Sequence, residues 1–438
     1  MPDRSANSLS NASTRSTPLR VLVSAYACEP GRGSEPGIGW NVVRELAREF
    51  DVCVVTRDSN RASIEAHDLG DFERIPRFVY HDLRPSARFW KRGNRSAQLY
   101  YVLWQRTLSK LVTNLVRTSS FDVAHHITFG RYWIPTPLAE TGLPLVFGPV
   151  GGADSVPESL RSALSPNGRR FNVVRERARK FSESRSELRK CISGTTIALG
   201  TTGATVEALR RLGGRDVRLE PAVGLPDHEI EAMESRESPR TGPVRFVSSG
   251  SLLAWKGFEL GVRAFAAAKR HMGDAELHII GDGPERRRLL SLAQDLAIQD
   301  SVKFHGQQTR QLALRIMGES HVLLHPSFHD SGGWVCLEAM AMGLPVVCLD
   351  LAGPAVLVPR EAGIRIPATT SAETIDLIAE SLVKLNSHRS VRDSLGRAGR
   401  SHVANTYSWS TRGRVLREIC QEAAQRKEAA AAWTSRVQ

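Results

Sequence analysis

Short apolar runs alternate with amphipathic helical patterns along most of this chain. The run RVLVSAYA at 20–27 is followed by a glycine-rich turn, a helical pattern and a second apolar run, DVCVVTR at 51–57. A strand, a turn, a helix and another strand in this order are the repeating unit of a doubly wound parallel sheet. Further apolar runs predict the other strands of this sheet, at 77–81, 123–127, 145–147, 196–199 and 217–219.

A second series of strands and helices follows a polar, proline-containing stretch. The runs VRFVSSGS, ELHIIGDGP, SVKFHG, HVLLHP and LPVVCLD predict five more strands, and only helical patterns follow residue 371. The fold class is therefore α/β, with two Rossmann-like doubly wound parallel-sheet domains facing a central cleft, where ligands of such sheets bind. We predict a disordered tail, an N-terminal domain, a linker, a C-terminal domain and a final helix, at 1–18, 19–222, 223–243, 244–406 and 407–430.

The composition agrees with a globular chain of two domains. Its 438 residues are 41% hydrophobic and 24% charged, which is typical of soluble folded proteins. No apolar stretch approaches the ~20 residues of a membrane-spanning helix, and residues 1–18 lack the apolar centre of a secretory signal. The six cysteines include no Cys-x-x-Cys pair, which favours a reducing compartment and disfavours a zinc ribbon. We therefore expect a cytoplasmic protein.

A formal net charge of +13 indicates an anionic partner. Nucleic acid is disfavoured, because the sequence has no helix-turn-helix, zinc-finger or RNA-binding aromatic motif. The basic residues cluster at 84–106, where they alternate with aromatic residues, and at 161–190. Such segments suit an anionic membrane surface, and we take Arg88, Trp90 and Lys91 as candidate acceptor-side or membrane contacts. A solvated helix whose aromatic side chains face the core is an equal alternative.

Glycines lie between the first strand and the first helix. The bare backbone at Gly33 and Gly37 lets a phosphate approach amide hydrogens at the positive end of that helix, which makes both candidate donor-binding residues. A dinucleotide site of the Gly-x-Gly-x-x-Gly type is disfavoured, because Pro36 and Val42 occupy the positions of the third glycine. The steric requirements of a strand end are the alternative explanation for these glycines.

Lys256 follows the strand VRFVSSGS and precedes a helix. A lysine there can neutralise a diphosphate without a metal ion, and a solvated surface lysine is the alternative. The turn GDGP, which begins at Gly281, closes the next strand, and it is either part of the same site or only a tight turn.

The stretch DSGGWVCLE at 330–338 joins a strand to a helix. Asp330, in the loop, can accept hydrogen bonds from sugar hydroxyls, and Gly332 and Gly333 expose amides near the helix N-terminus. Glu338, about one turn into an otherwise apolar helix, can accept the two hydroxyls of a ribose. Together these groups indicate a nucleoside diphosphate sugar. A helix cap at Asp330 and a solvated Glu338 are the alternative.

From residue 20 to about 424, the sequence resembles glycosyltransferase family 4. The resemblance lies in Asp330-x7-Glu338 followed by AMAMGLPVV, and in WKG, GDGP, VKFHG and YSW, which occur in the order of the family. The family implies retaining, metal-independent enzymes of GT-B fold, in which the last helix crosses back onto the N-terminal domain. It also implies that Lys256 contacts the donor diphosphate, Asp330 the transferred sugar and Glu338 the ribose. No cofactor is expected beyond the nucleotide sugar, and the sequence has no Asp-x-Asp triplet.

The same resemblance suggests further site residues. Gly306 ends the VKFHG motif on the donor side, and Ser251 stands where the family usually has an arginine. His126, with His125 behind it, matches a histidine that lines the catalytic centre of the family, although a structural histidine is an equal alternative. Gly151, in GPVGG, is expected to shape the acceptor side.

The predicted function is transfer of a sugar from a nucleoside diphosphate sugar, with retained anomeric configuration, to a glycan or lipid-linked acceptor in polysaccharide or glycoconjugate biosynthesis. The basic N-terminal half favours peripheral contact with the inner face of the plasma membrane. Three alternatives share the donor motifs: a soluble transferase that makes a small glycoside, a sugar-nucleotide epimerase of the same fold, and a non-catalytic nucleotide-sugar-binding partner. The non-catalytic alternative is suggested by Ser251, because the arginine usual at this position would supply a positive charge facing the diphosphate and the serine does not.

Overall fold

The structure, a computed structural model, describes residues 17–84, 97–234 and 242–437. In these three ranges, no helix combines the length and the apolar character that crossing a membrane requires. The predicted contacts at Arg88, Trp90 and Lys91 lie outside the described residues, as does most of the predicted tail.

The N-terminal part contains seven strands and seven α-helices among the described residues. The strands are β1 (Arg20–Ala25), β2 (Asp51–Arg57), β3 (Arg77–His81), β4 (Val123–Ile127), β5 (Leu145–Val150), β6 (Ile197–Gly200) and β7 (Val217–Leu219). The helices are α1 (Ser34–Leu46), α2 (Arg61–Glu65), α3 (Ala97–Thr118), α4 (Pro166–Glu183), α5 (Ser186–Ser193), α6 (Gly203–Arg211) and α7 (Asp227–Glu234). The strands form one parallel sheet in the order β3-β2-β1-β4-β5-β6-β7.

The C-terminal part repeats this architecture. Its strands are β8 (Arg245–Ser249), β9 (Glu276–Ile280), β10 (Val302–Gly306), β11 (Val322–His325), β12 (Val346–Leu349) and β13 (Gly363–Ile366). Its helices are α8 (Phe258–Lys269), α9 (Arg286–Asp295), α10 (Arg310–Gly318), α11 (Trp334–Ala341), α12 (Ala352–Leu357), α13 (Ser371–Ser387), α14 (Arg389–Thr406) and α15 (Trp409–Val437). The parallel sheet has the order β10-β9-β8-β11-β12-β13, so the predicted pair of doubly wound sheets is confirmed.

The central strands are buried on both faces, because helices cover both sides of each sheet. Every residue of β4 and β12 is buried, and such strands read as continuous apolar runs rather than as alternating ones. This explains why VVCL and its counterparts were recognisable in the sequence. Strand β13 was not predicted, because GIRI is short and only its end residues are buried.

The last helix crosses back onto the N-terminal sheet, as the family resemblance implied. Its side chains Leu416 and Cys420 are buried in the core, and Arg417 binds Glu49 of the N-terminal part at 2.7 Å. The chain reaches α15 through a bridge between Leu225 and Ser408. These contacts tie the two sheets together at the side of the cleft.

The aromatic residues of the first basic segment face the core wherever the structure describes them. Tyr100, Tyr101 and Trp104 of α3 are all at most 1% exposed. The indole nitrogen of Trp104 donates a hydrogen bond to the carbonyl oxygen of His81 at 2.9 Å. For α3, the alternative of a solvated helix with inward aromatic side chains is therefore the one observed.

Candidate active site

The candidate site lies where both sheets reverse their strand order. The reversal falls between β1 and β4 in the first sheet and between β8 and β11 in the second, and ligands of open α/β sheets bind at such points. The loops that follow these strands enclose a cavity of about 580 Å³. The predicted residues that line it are Gly33, Gly151, Ser251, Lys256, Gly281, Asp330, Gly332, Gly333 and Glu338.

Lys256 and Asp330 form an ion pair in this cavity. Lys256 ends the 3-10 turn Ala254–Lys256 after β8. The next residue, Gly257, has a φ of +70°, and an added Cβ there would lie 1.9 Å from the Pro326 carbonyl oxygen. Only glycine fits this position, which accounts for the sequence WKG and holds the lysine within reach of the loop after β11.

Asp330 has two further polar neighbours. Its Oδ2 lies 3.4 Å from Nε2 of His325, and its Oδ1 accepts a hydrogen bond from the Gly332 amide at 3.3 Å. Burial alone would raise the pKa of Asp330, but the Lys256 ammonium and His325 hold that pKa well below its usual range. Asp330 is therefore a carboxylate at neutral pH, with its charge balanced by the lysine.

Glu338 projects from the first turns of α11 and binds an arginine that the sequence analysis did not identify. Nη2 of Arg310 donates to Oε1 of Glu338 at 2.9 Å, and the same guanidinium binds both carboxylate oxygens of Glu229 at 3.0 and 2.7 Å. Burial raises the pKa of Glu338 to about 7, because desolvation outweighs the attraction of Arg310. No local pattern marks Arg310, since its partners lie 28 and 81 residues away along the chain.

The N-terminus of α11 also faces the cavity. Gly332, Gly333 and Trp334 line it, and the backbone amides at the start of a helix, together with the helix dipole, attract anions. Next to them, Gly281 allows the turns after β8 and β9 to pack tightly, because an added Cβ would lie 2.0 Å from the Gly250 carbonyl oxygen. The GDGP turn therefore shapes one wall of the cavity.

The structure places both predicted histidines inside β4 rather than at the cavity. His125 is fully buried and its Nε2 lies 2.8 Å from the Gly148 carbonyl oxygen, and Nε2 of His126 lies 3.2 Å from the Tyr101 hydroxyl. Burial lowers the pKa of His125 to about 4 and of His126 to about 3. A contact of His126 with the reacting sugar stays a prediction that this geometry disfavours, because the cavity is lined by the next residues along the chain, Ile127 and Thr128.

Two predicted donor residues also lie away from the cavity lining. Gly37 is packed inside α1, where an added Cβ would lie 2.0 Å from the Arg32 carbonyl oxygen. Gly306 ends β10, and its carbonyl oxygen accepts a hydrogen bond from the Gly281 amide at 2.8 Å. Both glycines therefore support residues that line the cavity without facing it themselves.

Glu35 is a second cavity residue that the sequence analysis missed. Its carboxylate accepts a hydrogen bond from the Phe129 amide at 2.8 Å and so links the loops after β1 and β4. Burial raises the pKa of Glu35. The glycines around Glu35 predicted a phosphate contact through the backbone of this loop. No local sequence pattern identified the Glu35 side chain as a site residue. Within the described ranges, no group of three or more His, Cys, Asp or Glu residues could hold a metal ion.

Comparisons with known proteins identify a family and several relatives. Residues 229–402 match the family model described as "Glycosyl transferases group 1". A GDP-mannose-dependent monoacylated alpha-(1-6)-phosphatidylinositol monomannoside mannosyltransferase of Corynebacterium glutamicum is 28% identical over 216 residues, which are 48% of this chain and 54% of that protein. A D-inositol 3-phosphate glycosyltransferase of Saccharomonospora viridis is 27% identical over 234 residues, 52% of this chain and 50% of that protein. The chain thus spans about half the length of these relatives.

Solved structures share the whole two-domain architecture. Sucrose-phosphate synthase from Thermosynechococcus elongatus has a TM-score of 0.64 at 17% identity and covers 94% of this chain and 100% of its own. The Anabaena protein HepE in complex with UDP has a TM-score of 0.60 at 16% identity, with 92% of this chain and 100% of its own covered. At these identities the likeness concerns the fold, which is GT-B. The C-terminal part, at 229–402, is therefore similar to the group 1 glycosyl transferases, and the described length of the chain has the GT-B fold.

Proposed function

We propose that the protein transfers a sugar from a nucleoside diphosphate sugar to a glycan or lipid-linked acceptor, with retention of the anomeric configuration and without a metal ion. The observation that carries this proposal is the Lys256–Asp330 pair, which lies at the strand reversal beside the N-terminus of α11. A leaving diphosphate and a cationic sugar ring both need electrostatic stabilisation in the transition state. The lysine and the helix amides can stabilise the negative diphosphate, and the ionised aspartate can stabilise the positive sugar ring.

In this proposal, each charged group has a separate role. The Lys256 ammonium, with the amides at Gly332 and Gly333, balances the negative charge that develops on the leaving diphosphate. Asp330, held ionised by its neighbours, accepts hydrogen bonds from hydroxyls of the transferred sugar and faces the positive charge that develops on its ring. Glu338 accepts the two ribose hydroxyls. The acceptor then attacks from the face that the diphosphate leaves, which retains the configuration.

The experiment that tests the donor site is thermal unfolding against a panel of UDP, GDP, CDP, dTDP and ADP sugars. A ligand at 100 times its Kd stabilises the folded state by about 2.7 kcal/mol. We expect one base to raise the unfolding temperature of the wild type, and Lys256→Ala and Glu338→Ala to lose that shift. The control Lys303→Ala removes an exposed lysine of β10, outside the cavity lining, and should keep it. Equal shifts in all four proteins would contradict the assigned site.

A second candidate, a nucleotide-sugar-binding partner without turnover, is favoured by Ser251. This residue lines the cavity and supplies no positive charge. A labelled donor separates the candidates: a transferase moves the label to an acceptor, whereas a binding partner leaves it on the nucleotide. A sugar-nucleotide epimerase would change the donor without any acceptor present. A soluble transferase making a small glycoside would show no preference for lipid-linked acceptors.

For the acceptor, the proposal favours a molecule presented at a membrane. Helix α4, within the second basic segment, exposes Val174 and Phe181 to the extent of 65% and 67%. Apolar side chains among basic ones are typical of helices that lie at a membrane surface. The names of the two relatives include a phosphatidylinositol mannoside, which is a lipid, and an inositol phosphate, which is not; the first agrees with a lipid-linked acceptor.

A further inference from the structure

A second, smaller cavity of about 260 Å³ adjoins the candidate donor site. Glu35, Gly151 and Asp330 line both cavities, so the second one opens directly onto the carboxylate that is proposed to hold the transferred sugar. Its volume is several times the ~30 Å³ that one water molecule occupies. A group bound there would lie next to the proposed reacting centre.

Two arginines line this smaller cavity from different elements. Arg131 follows β4, and Arg175 comes from α4. Both guanidinium groups lie over the ring of Trp133, with their Cζ atoms 5.2 and 5.6 Å from its centroid. The ring therefore holds two positive groups on one cavity wall, which is an arrangement that anions stabilise.

Both arginines have hydrogen-bonding capacity left over. Nη2 of Arg175 donates to the Gly152 carbonyl oxygen at 2.6 Å, but its Nη1 is buried without a partner. For the guanidinium of Arg131, the described part of the chain supplies neither a hydrogen bond nor an ion pair. Burial and the neighbouring Arg175 lower the pKa of Arg131 to about 10. A buried donor without a partner costs free energy, so Nη1 of Arg175 is placed for a ligand, and the guanidinium of Arg131 lines the same cavity.

The carboxylates of this cavity do not balance the two arginines. Asp330 is paired with Lys256 and His325. Glu35 is bound to the Phe129 amide, and it is the one remaining carboxylate that lines this cavity together with two guanidinium groups. The cavity therefore keeps an excess of positive charge, and its donors point to a ligand that carries several oxygen acceptors.

We propose that Arg131 and Arg175 bind a phosphate group of the acceptor, beside Asp330. This inference rests on the proposed transferase function and names the acceptor class. Guanidinium groups suit phosphate because their planar N–H groups match its oxygens in pairs. Trp133 and Trp255 also line the cavity and add apolar surface beside the two guanidinium groups.

The test is calorimetric titration of the full-length protein with inorganic phosphate, without donor and at constant ionic strength. Charge-assisted hydrogen bonds are about twice as strong as neutral ones, so Arg131→Gln and Arg175→Gln should each weaken phosphate binding by about tenfold or more. Arg177→Gln is the matched control, because Arg177 is exposed on the same helix and does not line the cavity. Arg131→Gln removes no hydrogen bond within the described chain and should fold, with an unfolding temperature close to that of the wild type.

Two acceptor classes share this phosphate chemistry, and two further titrations separate them. Binding of glycerol 1-phosphate indicates a soluble phosphorylated acceptor, and binding of a polyprenyl phosphate in detergent, but not of the parent polyprenol, indicates a lipid-linked one. Equal phosphate affinity in the wild type and both glutamine variants would overturn the inference. The donor-induced thermal shift is measured on the same proteins. If the wild type shows no donor-induced thermal shift, the result counts against the proposed function. If both arginine variants keep the donor-induced shift, the phosphate site and the donor site are separate.

Discussion

At the scale of single residues, the electrostatics of the cleft depend on four ionisable side chains. Lys256 and His325 keep Asp330 ionised, while burial pushes Glu338 towards its neutral form. The two acids therefore respond to pH in opposite ways. Asp330 stabilises the folded protein above its usual pKa, and this stabilisation is lost only in strong acid, as the pH falls through the lowered pKa of the folded state.

Glu338 should give donor binding a pH dependence near neutrality. Its pKa in the folded protein is about 7, and only the ionised carboxylate accepts both ribose hydroxyls. We expect the donor association constant to rise by up to about tenfold per pH unit below pH 7 and to level off above it. In the absence of donor, the sign is opposite. Because the pKa of Glu338 is raised in the folded protein, the free energy of unfolding falls as the pH rises from the usual pKa of a glutamate to about 7. The measurement is donor Kd between about pH 5.5 and 8.5.

Two variants make this pH prediction specific. Glu338→Gln should flatten the pH dependence of donor binding, because its amide does not titrate. Glu373→Gln, at the start of α13, changes an exposed carboxylate outside the cavity lining and should preserve the rise. If the rise persists unchanged in Glu338→Gln, another group titrates and Glu338 is not the ribose acceptor.

At the scale of secondary-structure elements, the sequence predicted what depends on local pattern. Strands β1, β4, β8 and β11 were recognisable because buried parallel strands are short continuous apolar runs. Helix α7 was not predicted, because DHEIEAME lies in a polar stretch read as a linker. Its role appears only through a distant partner, since Glu229 on α7 binds Arg310 on α10.

The packing of α15 on α1 leads to a prediction for Gly413. An added Cβ at this glycine would lie 2.4 Å from the Cβ of Glu45, which is completely buried. Gly413→Ala should therefore lower the free energy of unfolding by about 1–3 kcal/mol, although alanine by itself favours a helix by about 1 kcal/mol. The midpoint of guanidinium denaturation, followed by circular dichroism, measures the change.

The control for Gly413 is a glycine with free space around it. An added Cβ at Gly203, at the start of α6, meets nothing within 4 Å. Gly203→Ala should therefore leave the midpoint unchanged or raise it. A Gly413→Ala variant as stable as Gly203→Ala would mean that α15 does not pack against α1 as closely as described.

At the scale of the whole molecule, two similar sheets face each other with their strand reversals aligned on one cleft. The N-terminal part contributes Glu35 and the arginines of the smaller cavity, and the C-terminal part contributes the Lys256–Asp330 pair. The aromatic rings of Phe171 and Trp255, one from each part, stack at 4.6 Å. The site is therefore a property of the assembled molecule.

The charge of the whole chain leads to a prediction about membranes. Its formal net charge is +13, and α4 carries four exposed basic residues beside the exposed Val174 and Phe181. We expect flotation with vesicles that contain anionic lipid and little with neutral vesicles, because each basic residue near an anionic surface contributes about 1 kcal/mol. High salt should reduce the bound fraction, since it screens this attraction.

Point substitutions connect this membrane contact to α4. Phe181→Ser and Val174→Ser should each reduce the floated fraction. Ile75→Ser is the control, because Ile75 is 70% exposed and lies outside the basic segments. Equal recovery of the wild type from anionic and neutral vesicles would remove the membrane argument and leave a soluble acceptor.

The sequence by itself determined the two doubly wound sheets, the position of Lys256 and Asp330 at strand ends and that of Glu338 on the helix that follows. A strand, a turn and the start of a helix are specified by neighbouring residues. Only the tertiary structure decided which side chains meet. It buried His125 and His126 within the first sheet, joined Arg310 to Glu338, and placed Arg131 beside Arg175. These outcomes depend on packing between segments that are far apart in the chain. Desolvation and charges from distant residues act together there, and no local sequence pattern predicts their combined effect.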